Sequence, residues 1–197
     1  MILANEQQKA SRYLSKFALM IRVTLNQSKE IFTSLYENLT HLENYLLMEK
    51  LRFDDSFSYR IVVEDSLDKE ETMMPTLMIQ PLAENAIWHG LLSKEGEKKL
   101  LISFYQKEEV IYCTIEDNGI GINQAEEFKK MHKASHQSVG LNNLRNRIKI
   151  MNEKYDIGCK LEIRDLGEPD QKRSGTSALL LFNVINSNLF YESNTGR

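Results

Sequence analysis

The N-terminal part of the chain lacks every residue that would interrupt a helix. From Asn5 to Phe53 there is neither Gly nor Pro, and apolar residues recur at intervals of three or four. The two sets are Leu14, Phe17, Ile21 and Leu25, and then Phe32, Leu35, Leu39, Leu42 and Leu46. This is the period of amphipathic helices. We predict one helix over Glu6 to Leu25 and another from Lys29 to about Arg52.

The second set has the alternating spacing of a coiled-coil seam with one narrow apolar stripe. Such a stripe could join two copies of the chain, or it could cover one face of a following domain. Both alternatives stay open at this point.

After Phe53 the pattern changes to that of β-strands. Segments rich in β-branched and aromatic residues begin at Ser56, Lys99, Val110, Lys160 and Ser177. Helical periodicity lies between them over Pro75 to Leu92 and over Gly140 to Tyr155. The polar step at Lys107 to Glu109 predicts a hairpin, so at least part of the sheet is antiparallel. We therefore predict the α+β class, as a two-layer sandwich of helices on a sheet.

Composition and charge exclude several classes of protein. The 25 Lys and Arg against 28 Asp and Glu give a net charge of -3, so we expect no nucleic-acid partner. Cys113 and Cys159 are the only cysteines and form no Cys-x-x-Cys pair, which argues against a zinc site or a disulfide framework. No apolar run approaches the ~20 residues of a membrane-spanning helix.

Three short segments carry residues suited to binding a ligand. They are Gln80 to Gly90 (QPLAENAIWHG), Glu116 to Ile122 (EDNGIGI) and Ser138 to Ile148 (SVGLNNLRNRI). In the first, Asn85 and His89 are one helical turn apart, so one face offers an amide oxygen for Mg²⁺ and an imidazole for phosphate. A contact that caps the end of the helix is the alternative interpretation of His89.

The other two segments suit the base and the phosphates of a nucleotide. Asp117 offers a carboxylate that only accepts hydrogen bonds and fits an exocyclic amine such as adenine N6, while Gly119 and Gly121 permit close backbone approach. Gly140 begins a helix whose free N–H groups attract phosphate, and Arg145 follows. The alternatives are an ordinary hairpin turn and an ordinary solvated helix.

Together with Gly175-Thr176 before the last strand, these segments resemble the N box, the two glycine boxes and the closing Gly-Thr of the GHKL, or Bergerat, ATP-binding fold. The form QPLxENAxxHG is similar to that of the LytS-type sensor histidine kinases. The resemblance extends from about Ala10 to Asn186. It implies a helical connector or dimerisation segment at 1–53, an ATP-binding catalytic domain at 54–187 and a tail at 188–197.

The resemblance implies ATP and Mg²⁺ as cofactors. Asn85 would coordinate Mg²⁺, Asn85 and His89 would be the catalytic residues, and Asp117 would receive the adenine amine. Gly119 and Gly121 would open a lid that runs to about Val139, and the polar composition of Asn123 to about Val139 predicts that this stretch is mobile without nucleotide. The residues expected to contact the nucleotide are Asn85, His89, Asp117, Gly119, Gly121, Gly140, Leu141, Asn143, Arg145 and Thr176.

The resemblance also implies an activity and its partners. A protein histidine kinase transfers the γ-phosphoryl group to an acceptor histidine helix, its own or a partner subunit's, for relay to a response regulator receiver domain. The full-length protein is expected to be a homodimer on the cytoplasmic side, anchored in the inner membrane through segments outside this chain. The family's PHFLFN-like acceptor motif does not occur in the sequence, so we expect a fragment that binds ATP without phosphorylating itself. His41 is expected to be an ordinary surface residue.

Three positions depart from the family pattern. Trp88 stands where Lys is common, Ser138 replaces the first glycine of the second glycine box, and Asn38 replaces a usual Glu.

Two alternative functions remain. A GHKL ATPase would need a water-activating Glu four residues before the Mg²⁺ asparagine, where this chain has Pro81. A non-catalytic dimerisation module that senses nucleotide would bind ATP without transferring phosphate.

Overall fold

A computed structural model of the chain describes residues 11, 13–15, 17–18, 21–22, 25, 30–123, 139–167 and 174–185. The chain divides into two compact units. The first comprises Met1–Ser56, Lys69–Gln80 and Asn186–Arg197, and the second comprises Phe57–Asp68 and Pro81–Ile185. The functional division into connector, catalytic domain and tail stays a prediction. Within the residues just given, no helix has the length and apolar character needed to cross a bilayer.

The first unit contains a long helix and a small two-stranded sheet. Helix α1, Leu35–Arg52, follows strand β1, Phe32–Ser34. β1 pairs antiparallel with a strand from later in the chain, Met73–Pro75, which is β3 in chain order. The Ser34 hydroxyl accepts the Glu37 N–H at 3.2 Å and so begins the helix. The described residues between 11 and 25 are helical.

Two predicted helix boundaries in this region are wrong. Residues 32–34 form a strand, so the second helix begins at Leu35 and not at Lys29. Pro75 ends strand β3, and the helix predicted from Pro75 begins only at Gln80. Short strands paired over a long sequence separation leave little local signal, and the Ser34 cap fixes the actual start of α1.

α1 is also buried on a face that its apolar stripe does not cover. Only 3% of His41 is exposed, which contradicts the expectation of an ordinary surface histidine, and burial lowers the pKa of its imidazole. Asn38 is buried too, and its amide donates to Thr33 Oγ1 at 2.8 Å and to the Ser34 carbonyl at 3.1 Å. Asn38 is a buried polar side chain that finds its partners locally, which an apolar pattern cannot predict.

The second unit is built on a five-stranded sheet. Its strands are β2 (Ser58–Val63), β4 (Lys99–Lys107), β5 (Val110–Asp117), β6 (Lys160–Asp165) and β7 (Thr176–Asn183). Their order is β2-β4-β5-β7-β6, with β2 and β4 parallel and all other neighbours antiparallel. The predicted hairpin between β4 and β5 is confirmed, with Glu108 in the left-handed region at φ 52°.

The helical segments that accompany the sheet include α2 (Gln80–Asn85), a π-helix that continues it (Ala86–Leu91) and α3 (Val139–Tyr155). Alternate residues of β5 are buried, and the last of them is Asp117 at the C-terminal end of the strand. The buried face of the sheet therefore ends in a carboxylate. The mixed α/β architecture confirms the predicted fold class.

Candidate functional site

Asp117 is a charged residue that the second unit buries. It is only 4% exposed, and its Oδ1 accepts the Gly119 N–H at 2.8 Å. Burial raises the pKa of the carboxyl group to about 6, while the backbone N–H groups of Gly119 and Thr176 and the positive charge of Lys94 act in the opposite direction. A buried carboxyl group with a pKa this far from its ordinary value is typical of functional sites.

Glycines from three separate segments pack against Asp117, two of them against its carboxylate and one against its backbone. A Cβ added to Gly90 would lie 2.6 Å from Asp117 Oδ1, one added to Gly119 would overlap the Gly90 carbonyl carbon, and one added to Gly175 would overlap the Asp117 carbonyl oxygen. Gly175 also has φ 141°, a conformation that side chains rarely adopt. Thr176 pairs with Asp117 across β5 and β7. The predicted second segment and the closing Gly-Thr therefore meet at one point.

The π-helix brings Gly90 to this point. The Leu92 N–H donates to the Ile87 carbonyl at 2.9 Å, which is the five-residue spacing of a π-helix. The Ile120 N–H in turn donates to the Gly90 carbonyl at 3.2 Å. π-turns occur often at functional sites, and the sequence prediction of one regular helix missed this one. His89 lies half-buried in the same turn and contacts other groups.

The part of the site that is predicted to bind the nucleotide phosphates lies on α2 and α3. Asn85 is half-buried at the end of α2, and its side chain has no hydrogen-bond partner among the residues that the structure describes. Near the start of the same helix, Pro81 lies beside Gly140, because a Cβ on that glycine would be 3.9 Å from the proline Cβ. Leu141 is half-buried, whereas Asn143 and Arg145 are exposed. The predicted lid between 124 and 138, including Ser138, lies outside the described residues.

Sequence reasoning missed two polar residues that hold the glycine segment. Asn118 bridges the edge of β4, since its side-chain oxygen accepts the Lys99 N–H at 2.7 Å and its amide donates to the Glu97 carbonyl at 3.0 Å. Asp165, at the end of β6, accepts the N–H groups of Ile122 at 2.8 Å and Asn123 at 3.0 Å. Both contacts join residues more than 15 positions apart, so no local pattern indicates them.

The chain is similar to known kinases both in sequence and in fold. A family model described as Histidine kinase matches residues 1–57. The sensor protein LytS of Bacillus cereus is 28% identical over 145 residues, which are 72% of this chain and 24% of that protein. The uncharacterized protein YwpD of Bacillus subtilis is 28% identical over 179 residues, 90% of this chain and 60% of that protein. The chain thus spans about a quarter of the LytS relative.

Two solved structures share the fold. The histidine kinase AdeS of Acinetobacter baumannii has a TM-score of 0.51 at 15% identity and covers 93% of this chain and 83% of its own. The catalytic domain of histidine kinase ThkA has a TM-score of 0.50 at 14% identity, over 78% of this chain and 95% of its own. Both likenesses show that the chain shares the fold of histidine kinase catalytic domains.

The sequence relatives agree with the resemblance drawn from the N box and the glycine boxes. They include proteins named sensor protein LytS and sensor histidine kinase YesM. The enzyme class expected from the sequence, protein histidine kinase, agrees with these names and is a proposal for this chain. The roles of the individual site residues stay predictions.

Proposed function

We propose that the second unit binds Mg²⁺·ATP, with the adenine amine donating a hydrogen bond to the Asp117 carboxylate. The observation that carries this proposal is the close packing of Gly90 and Gly119 on that buried carboxylate, with Gly175 packed on the Asp117 backbone. A carboxylate can only accept hydrogen bonds when ionised, so it selects a ligand with an N–H donor.

Mg²⁺ would enter this site together with the nucleotide phosphates. Among the described residues, no three His, Cys, Asp or Glu side chains are grouped to hold a metal. Mg²⁺ prefers octahedral oxygen coordination and commonly combines one protein oxygen with phosphates and water. The amide of Asn85 would supply such an oxygen, and the start of α3 at Gly140 would supply backbone N–H groups for the phosphates.

The reaction in this proposal is transfer of the ATP γ-phosphoryl group to a histidine, followed by relay to a response regulator receiver domain. Pro81 occupies the position where a hydrolase needs a water-activating Glu, which favours transfer over hydrolysis. Leu14 and Leu25 in the first helical stretch are 64% and 61% exposed, which supports helix pairing between two subunits. The cytoplasmic side and an anchor in segments outside this chain belong to the same proposal.

The binding step is tested by calorimetry with Asp117→Asn. The amide still accepts one hydrogen bond, but it loses the charge that strengthens the bond to the adenine amine, so we expect ATP affinity to fall about tenfold. Glu116→Gln is the matched control, because Glu116 is the adjacent residue of β5 and belongs to the opposite, less buried face. Equal ATP affinity in wild type and Asp117→Asn would contradict the adenine assignment.

The transfer step is tested with γ-labelled ATP and a separately made acceptor segment from a LytS relative. We expect acid-labile, alkali-stable label on the acceptor and only background label on the 197-residue chain. Release of inorganic phosphate without an acceptor would instead identify an ATPase. Tight ATP binding with neither transfer nor hydrolysis would identify a module that only senses nucleotide.

A further inference from the structure

Asp165 accepts three backbone N–H groups from two segments with one carboxylate. Its Oδ2 accepts the N–H groups of Ile122 and Asn123, and its Oδ1 accepts the N–H of Gly167 at 2.8 Å. Partial burial raises the pKa of this carboxyl group, but the three N–H donors outweigh that effect and keep the pKa below its ordinary value. The ionised carboxylate is therefore the form that makes these bonds at neutral pH.

Asp165 and Asp117 lie in one row across the sheet. Asp165 pairs with Thr176 across β6 and β7, and Thr176 pairs with Asp117 across β7 and β5. Paired residues on neighbouring strands project to the same face. The two carboxylates thus flank Thr176 at the same end of the sheet, and the negative charge of Asp165 contributes to the raised pKa of Asp117.

The turn from Gly119 to Gly121 is bound at both ends by these two carboxylates. Asp117 accepts the N–H of Gly119, and Asp165 accepts the two N–H groups that follow Gly121. Gly121 itself packs against the second carboxylate, since an added Cβ would lie 2.9 Å from Asp165 Oδ1 and the residue has φ 79°. Losing the Asp165 bonds leaves the turn held by Asp117 and by the bond from the Ile120 N–H to the Gly90 carbonyl, with no carboxylate at its far end.

We propose that Asp165 is a positioning residue for the nucleotide site: it fixes the Gly119–Gly121 turn so that the turn stays packed on Asp117 at the adenine end. This inference rests on the proposed function, because it assigns Asp165 a part in recognising the base. Asp165 acts through the backbone and does not touch the nucleotide. Its loss therefore weakens the binding of ATP and the binding of ADP by the same factor, since both nucleotides carry the same base.

The test compares Asp165→Ala and Asp165→Asn with Glu162→Gln in the whole chain. Glu162 is an exposed carboxylate on the same strand, paired with Arg164, and serves as the control. Without nucleotide, we expect the amide protons of Ile122 and Asn123 to exchange at least about tenfold faster in Asp165→Ala, and Asp165→Asn to be intermediate because one oxygen still accepts. Glu162→Gln should exchange as wild type does.

Calorimetry on the same variants completes the test. We expect Asp165→Ala to weaken ATP and ADP equally, by about tenfold, and Asp165→Asn to recover part of the loss. Faster exchange with unchanged affinity, or a loss confined to ATP, would overturn the positioning role and leave the proposed function intact. Unchanged amide exchange at Ile122 and Asn123 in Asp165→Ala would show that Asp165 does not fix the Gly119–Gly121 turn. A wild-type chain that binds no ATP would refute the proposed function and, with it, the positioning role.

Discussion

Replacing Asp117 by Asn should make the second unit more stable at neutral pH while it weakens ATP binding. The carboxyl pKa rises from 3.8 to about 6 on folding, chiefly because burial disfavours the charged form. The folded state therefore binds this proton more tightly than the unfolded state. The contribution to stability is present in full below pH 3.8 and is lost as pH rises through about 6.

The magnitude follows from the shift. Two pKa units at about 1.4 kcal/mol each amount to roughly 3 kcal/mol at pH 8, and an amide that cannot ionise avoids this loss. The new amide nitrogen needs an acceptor in its buried surroundings, which offsets part of the gain. We therefore expect the free energy of unfolding of Asp117→Asn to exceed that of wild type by about 1 to 3 kcal/mol. At pH 4 the two proteins should differ little.

Urea unfolding followed by the fluorescence of Trp88, the only tryptophan, reports on the second unit and measures this difference at pH 4 and pH 8. Glu116→Gln is the control and should show no difference that depends on pH. Equal or lower stability of Asp117→Asn at pH 8 would refute the conclusion that burial destabilises the ionised carboxylate.

Four other outcomes follow from the same site and from the first unit. ATP affinity should fall as pH is lowered through about 6, because an ionised Asp117 accepts the adenine amine, and calorimetry at pH 5 and 8 should show no such slope in Asp117→Asn. Gly175→Ala should lower the urea midpoint by the equivalent of about 2 kcal/mol or more, because its Cβ would overlap the Asp117 carbonyl; an unchanged midpoint contradicts the packing. Asn85→Ala should keep that midpoint but remove the Mg²⁺ dependence of ATP titrations, and a retained dependence excludes Asn85 as the ligand. Leu14→Glu should shift light scattering from dimer to monomer, unless the exposed stripe has no part in pairing.

The sequence predicted most of the second unit but little of what shapes its site. The five long strands appear as β-branched and aromatic runs, and α3 begins within one residue of the predicted start. The strand Phe32–Ser34 was missed because its pairing partner lies about 40 positions away and its own residues continue the helical period. The buried His41 was missed because amphipathic reasoning assigns the polar face of a helix to water.

Other features depend on geometry that no local pattern encodes. The π-helix of Ala86–Leu91 has the same residues as a regular helix end, and its role appears only where Gly90 meets Asp117. The part played by Asp165 likewise depends on a turn more than 40 positions earlier in the chain. The motif resemblance singled out Gly90, Gly119 and Gly175, which local rules could not do. These glycines are required by close approaches between distant segments.

The placement of Asp117 links the stability of this unit to its proposed ligand. An ionised carboxylate held among glycines lowers stability by roughly 3 kcal/mol at neutral pH, because the charge of Lys94 and the N–H groups of Gly119 and Thr176 offset the effect of burial only in part. A bound adenine amine would supply a further hydrogen-bond donor. A ligand present at a hundred times its dissociation constant stabilises the state that binds it by about 2.7 kcal/mol, which is close to that loss. The same side chain that would select the base thus leaves the nucleotide-free unit less stable at neutral pH. A bound nucleotide would restore the stability that the buried charge removes.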